Sequence, residues 1–126
     1  MKRILLSALF VLPLIVFNGC NSDDDEVFGF SDLLGTYVGG LNITTPDFTN
    51  AQYSVSVTQV SSSVISIDPA GSVGTEWTAH MTKVAGVWTC ISCVTNNQIT
   101  ITDLGSNSIQ LSYNYDNNEQ FLGTKQ

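Results

Sequence analysis

This sequence predicts an all-β fold: about eight strands in an antiparallel up-and-down meander that closes into a small barrel. Three observations carry that prediction. From Thr36 onward apolar residues recur with a period of two, the repeat of a strand with one buried face. Short turn-forming clusters separate these runs, so neighbours in sequence should pair as hairpins. No stretch in this region carries a helical period of useful length. An even count of antiparallel strands lets the first and last pair, and closure removes sheet edges that invite aggregation. The same strands would also build a two-sheet sandwich, and the sequence does not separate the two.

Taken in order, Ser31 to Gly35 (S-D-L-L-G) can form one helical turn with Ser31 as its N-cap. In the first strand Tyr37, Gly39, Leu41 and Ile43 share a face. In the second, Tyr53, Val55 and Val57 alternate with Ser54, Ser56 and Thr58. The third sets Ile65 and Ile67 against Val64, Ser66 and Asp68. The fourth directs Trp77, Ala79 and Met81 one way and Thr78, His80 and Thr82 the other. The fifth, V-W-T-C-I, is ambiguous: Val87 and Ile91 compete with Trp88 and Cys90 for the inside. Ile99 and Ile101 mark the sixth, and Ile109, Leu111, Tyr113 and Tyr115 the seventh. In the eighth, Phe121, Gly123 and Lys125 are in phase. The turns fall at Pro46, Ser61 to Ser63, Asp68 to Ser72, Ala85-Gly86, Asn96, Gly105 and Asp116. An eight-stranded barrel is just wide enough to be filled by side chains or to hold one small ligand, and the bulky inward set favours filling.

The opening Gly35, Thr36, Tyr37, Val38, Gly39, after a short helical turn, resembles the start of lipocalin-like or calycin-like β-barrels. Those begin with Gly-x-Trp on their first strand, and Tyr37 stands in the Trp position. The close, E-Q-F-L-G-T-K-Q, is similar to the terminal strand of small Bacteroidota lipoproteins that carry such a domain. The resemblance implies the barrel and carries no ligand with it.

The N-terminus gives an address. Lys2 and Arg3 precede an uncharged, mainly apolar stretch from Ile4 to Phe17, interrupted by Pro13. A spanning helix needs about 20 apolar residues, whereas a shorter core behind a basic start is the build of a secretory signal. The residues Phe17, Asn18, Gly19, Cys20 resemble the lipobox of bacterial lipoproteins, which implies cleavage before Cys20 and lipidation of its thiol. More than one acyl chain holds a protein stably on a membrane. The run Asp23, Asp24, Asp25, Glu26 resembles the acidic export signal of Bacteroidota surface lipoproteins. The resulting division is a signal peptide over 1–19, a lipidated Cys20 with acidic tether over 20–30, and the barrel over 31–126. The expected place is the outer membrane, facing the cell surface, with a periplasm-facing orientation as the alternative.

Charge excludes some partners. Beyond Cys20 the only cations are Lys83 and Lys125, against all 11 acidic residues, a net charge of about −9. Nucleic-acid affinity rests on Lys and Arg contacts to phosphate, so nucleic acid is not expected. The acyl groups on Cys20 are the expected membrane contact.

Few residues carry recognisable chemistry. Cys90 and Cys93 form C-I-S-C. In an exported protein the compartment favours a disulfide, although residues three apart can bond only across a turn or bulge, with free thiols as the alternative. A redox-active pair would need a helix N-terminus to lower its thiol pKa. His80 with the two cysteines would make three zinc ligands, but it lies in the polar phase of its strand, so no metal is expected. No G-x-S-x-G elbow accompanies His80, and Asp68 with Glu76 is a carboxylate pair of the kind any acidic chain offers. No enzyme activity and no cofactor are therefore expected. Lys83 and Lys125 continue the inward phase near strand ends, where a barrel mouth with two cations would attract the carboxylate of an amphipathic ligand. Otherwise the ammonium groups reach water at the rim while the stems cover apolar surface. The expected function is thus a membrane-anchored, non-enzymatic barrel of structural or interaction type. Its alternatives are a container for a small apolar ligand and, last, an enzyme.

Overall fold

A computed structural model describes residues 28–126. Cys20, the signal segment and most of the tether lie outside the described residues. One 3-10 turn, Phe30–Leu33, precedes eight strands: β1 (Gly35–Ile43), β2 (Phe48–Gln59), β3 (Val64–Pro69), β4 (Trp77–Val84), β5 (Val87–Cys90), β6 (Gln98–Gly105), β7 (Ser108–Tyr115) and β8 (Glu119–Lys125). Each strand pairs antiparallel with the next, and β1 pairs with β8, from Tyr37 opposite Lys125 to Ile43 opposite Glu119. The sheet is therefore a closed barrel and not a sandwich.

Alternation sets what fills it. Tyr37, Leu41, Ile43, Val55, Val57, Ile65, Ile67, Ala79, Met81, Ile99, Ile101, Leu111, Tyr113 and Phe121 are buried, joined by Leu33 from the 3-10 turn. A period of two places these residues on one face of the sheet, and closure turns that face inward. Registry settles the ambiguous fifth strand. Trp88 pairs with Lys83 and Cys90 with Met81, both on the inward phase of β4, and both pack on the core, whereas Ile91 is 57 % exposed.

Two sequence expectations change. The N-cap of the helical turn is Gly29, whose N–H donates to Asp32 Oδ2 at 2.6 Å, and not Ser31. Asp32 is the short acceptor that reaches back from the third position of the turn. Phe28 to Phe30, assigned above to the tether, belong to the domain: Phe28 is buried, and Phe30 meets the Trp88 ring edge-on at 5.7 Å. In addition, β2 starts at Phe48, ahead of its alternating part. A register shift between Gly39 and Leu41 places one extra residue on β2, a bulge that bends the wall.

The hairpins show left-handed turn chemistry. Ala85-Gly86 and Ser106-Asn107 both have positive φ at two successive residues, the requirement of a two-residue type I′ turn. The wall is thinnest at Gly39 and Gly123, which face each other across β1 and β8. A Cβ on Gly39 would overlap the Leu122 backbone, and one on Gly123 would lie 2.7 Å from the Val38 carbonyl oxygen. The backbones of β1 and β8 thus crowd each other there in a way that side chains at these positions would not allow.

Candidate functional site

Three places concentrate polar or chemical character: the end of the barrel where the chain enters, the opposite end, and a depression on the outer wall.

At the entry end the N-terminal segment lies over the opening as a plug. The Phe28 carbonyl accepts from Lys83 Nζ at 2.6 Å and from Trp88 Nε1 at 3.1 Å. Lys83 Nζ also lies 5.6 Å from the Phe28 ring centroid, within range of a cation–π contact. Lys125 Nζ donates to the Asp32 carbonyl at 2.9 Å. The structure thus brings both lysines to one end, as their phase requires, and commits each to a backbone carbonyl of the plug. A depression of about 440 Å³ beside the plug holds Lys125 together with Asp32 and Asp103. Those carboxylates repel the anionic head that the lysines would have attracted.

At the far end the sequence reading missed a residue. Glu119 is in phase with Phe121, Gly123 and Lys125, and that alternation was the signal that could have found it. It is only 2 % exposed. Its Oε1 accepts from the Tyr113 hydroxyl at 2.6 Å and its Oε2 from the Thr75 backbone N–H at 2.9 Å. The bonds tie β8 to β7 and to the loop between β3 and β4. Burial, the bond to Glu119 and the charge of Glu119 hold the Tyr113 phenol protonated far beyond its ordinary range. Tyr53 donates to the Ala70 carbonyl, and burial followed by the Glu119 charge raises its pKa. Trp77 packs on Tyr113 and Tyr115, and its buried Nε1 has no partner. A carboxylate with both oxygens occupied by fixed donors serves as a structural acceptor.

The remaining chemical candidates do not converge. Cys90 and Cys93 are joined by a disulfide, with Cα atoms 5.7 Å apart. His80 is exposed on the opposite phase of β4 from Met81, which pairs with Cys90, so the three do not meet. Among the described residues no three His, Cys, Asp or Glu side chains gather as a metal site. Glu76 accepts from the Ser66 hydroxyl at 3.2 Å, and Asp68 is exposed.

The outer wall carries a depression of about 550 Å³. It is lined by three consecutive residues in each of β1, β2, β6, β7 and β8. In β1, β6, β7 and β8 the inward member of the triplet (Leu41, Ile99, Tyr113, Phe121) is buried in the core and offers the depression its backbone only, whereas all three β2 residues are exposed. The outward members are amides, hydroxyls and small residues, with Leu122 54 % exposed. Gly39 and Gly123, paired across β1 and β8, neighbour the lining residues Gly40 and Leu122 in sequence. None of the lining residues is Asp, Glu, Lys, Arg or His. No family model, curated protein or solved structure matches the chain.

Proposed function

We propose that this chain is a lipoprotein lipidated at Cys20 and held on the outer membrane, facing the cell surface, and that its barrel is a non-enzymatic interaction module working from its outside. The lipobox-like residues up to Cys20 and the acidic run Asp23 to Glu26 support the address. One structural observation favours a solid module over a container. The barrel axis is occupied by side chains with essentially no exposure, among them Tyr37, Leu41, Ile65, Ile67, Ile101 and Leu111. Protein interiors packed this way leave no room for a ligand. Both lysines that would draw a ligand's head group are engaged on the plug.

Expression of the full chain in a bacterium fed an alkyne-bearing fatty acid tests the address. Label on the wild type and none on Cys20→Ala, with the variant leaving the membrane fraction, is the expected result. Replacing Asp23, Asp24, Asp25 and Glu26 by Ala should protect the protein from protease added to intact cells. If that replacement changes nothing, the surface reading gives way to the periplasmic one. Native mass spectrometry of the detergent-purified chain tests the module. The expected mass is polypeptide plus lipid, and a retained apolar molecule would restore the container.

A further inference from the structure

We infer that the outer depression is a binding site for an uncharged oligosaccharide lying across β2, β1, β8, β7 and β6. This rests on the reading of the barrel as a module that works from its outside, and it names the class of ligand. Pairing register carries it. Thr49 pairs with Asn42, Asn42 with Gln120, Gln120 with Asn114, and Asn114 with Gln98. These five residues, separated by up to 78 positions in the chain, form one row across five strands, on the outer face. Neighbouring strands lie roughly 4.8 Å apart, so the row is about 19 Å long. Its repeat is comparable to the length of one pyranose ring.

The chemistry of the row selects the ligand. Each Asn or Gln amide offers both donors and an acceptor, and each Thr hydroxyl does both. Sugar hydroxyls likewise donate and accept, so one amide can bridge two of them. The next row, Gly40, Leu122, Ser112 and Thr100, lies directly beside it. Gly40 leaves its floor open, since a Cβ there would meet nothing within 4 Å. With the exposed Leu122 it forms a small apolar strip on which the C–H face of a sugar ring can rest. Asn114 adds an independent sign. Its Nδ2 donates to Asn117 Oδ1 at 3.2 Å, while its buried Oδ1 has no donor among the described residues. Buried acceptors are nearly always partnered, and a small turn of this side chain would present the oxygen to a ligand hydroxyl. The volume is within the roughly 300–1,000 Å³ of small-molecule sites.

Other partners fit less well. A peptide added as a strand needs a free sheet edge, and β1 and β8 close the barrel. Nucleic acid and acidic glycans need Lys or Arg, and the depression has neither.

The test presents the full-length lipidated chain, purified in detergent, with maltoheptaose, laminarihexaose, xylohexaose and mannohexaose, and with oligogalacturonate as the acidic contrast. At least one neutral sugar should bind and the acidic one should not. Gly40→Trp fills the depression without entering the core and should weaken binding by about tenfold or more. Asn114→Ala should weaken it by about tenfold, the loss of a hydrogen bond. Should Gly40→Trp fail to fold, the exposed pair Gln98→Ala and Gln120→Ala replaces it. The inference is overturned if no neutral sugar of the set binds, if the acidic one is preferred, if filling the depression leaves affinity unchanged, or if a polypeptide occupies the groove instead. The native mass separates the two readings. With polypeptide plus lipid only, a failed sugar panel removes the glycan and leaves the module standing. A retained apolar molecule removes the module itself.

Discussion

Glu119 is the single side chain on which the far end of the barrel depends. Two fixed donors from two different elements end on its carboxylate, and its burial means that water cannot replace it. Glu119→Ala would leave the buried Tyr113 hydroxyl without its acceptor and free the Thr75 N–H of the neighbouring loop. An expected loss of about 2–4 kcal/mol follows, read from the midpoint of urea unfolding. Glu119→Gln keeps one acceptor oxygen and should lose less. A loss for Ala no greater than that for Gln would remove Glu119 from this role. Tyr113 and Tyr37 make a second prediction at this scale. Burial, with the Asp32 charge as a smaller contribution at Tyr37, raises both phenols above the ordinary value of 10.0. A raised pKa stabilises the fold fully below the unfolded value, and that contribution is lost as pH rises toward the folded one. The denaturation midpoint should therefore be insensitive to these groups up to about pH 10 and fall steeply above it. Tyr113→Phe should flatten that fall.

Among the elements, the β4–β5 hairpin holds correctable strain. Ala85 sits at φ 51°, a conformation that costs a residue with a Cβ roughly 1–2 kcal/mol. Ala85→Gly should raise stability by about 0.5–1 kcal/mol, since the gain is offset by the wider freedom of glycine when unfolded. A melting temperature that drops would refute the reading. The same hairpin shows how far the sequence could be read. All seven turns lie where Gly, Pro, Asn and Ser cluster, and the inward phase of seven strands follows from alternation alone. The fifth strand resisted because Val87, Trp88, Cys90 and Ile91 are all apolar. Its register against β4 settles the phase, and Phe28 and Phe30 then meet Trp88 from a segment that carries no strand pattern. The row from Thr49 to Gln98 was equally hidden. Each member reads alone as an ordinary polar outer residue, and only the register of five strands brings them together.

At the scale of the whole molecule, every strand belongs to one sheet and one core. Unfolding should accordingly be a single transition, with far-UV dichroism and tryptophan fluorescence coinciding. Distinct midpoints would show that the far end, with its Trp77, opens by itself. Pairing β1 with β8 joins the two extremes of the domain, a non-local contact that slows folding into the millisecond-to-second range. The plug gives this architecture a mechanical property. Phe28 is clamped by Lys83 and Trp88, and the chain passes through the 3-10 turn into β1, which lies between β2 and β8. A pull on the entering chain is met first by the clamp. It then acts along β1 and shears two hydrogen-bonded ladders at once, where a peel would break them one by one. A tug at the N-terminus is therefore expected to meet both ladders of β1 together.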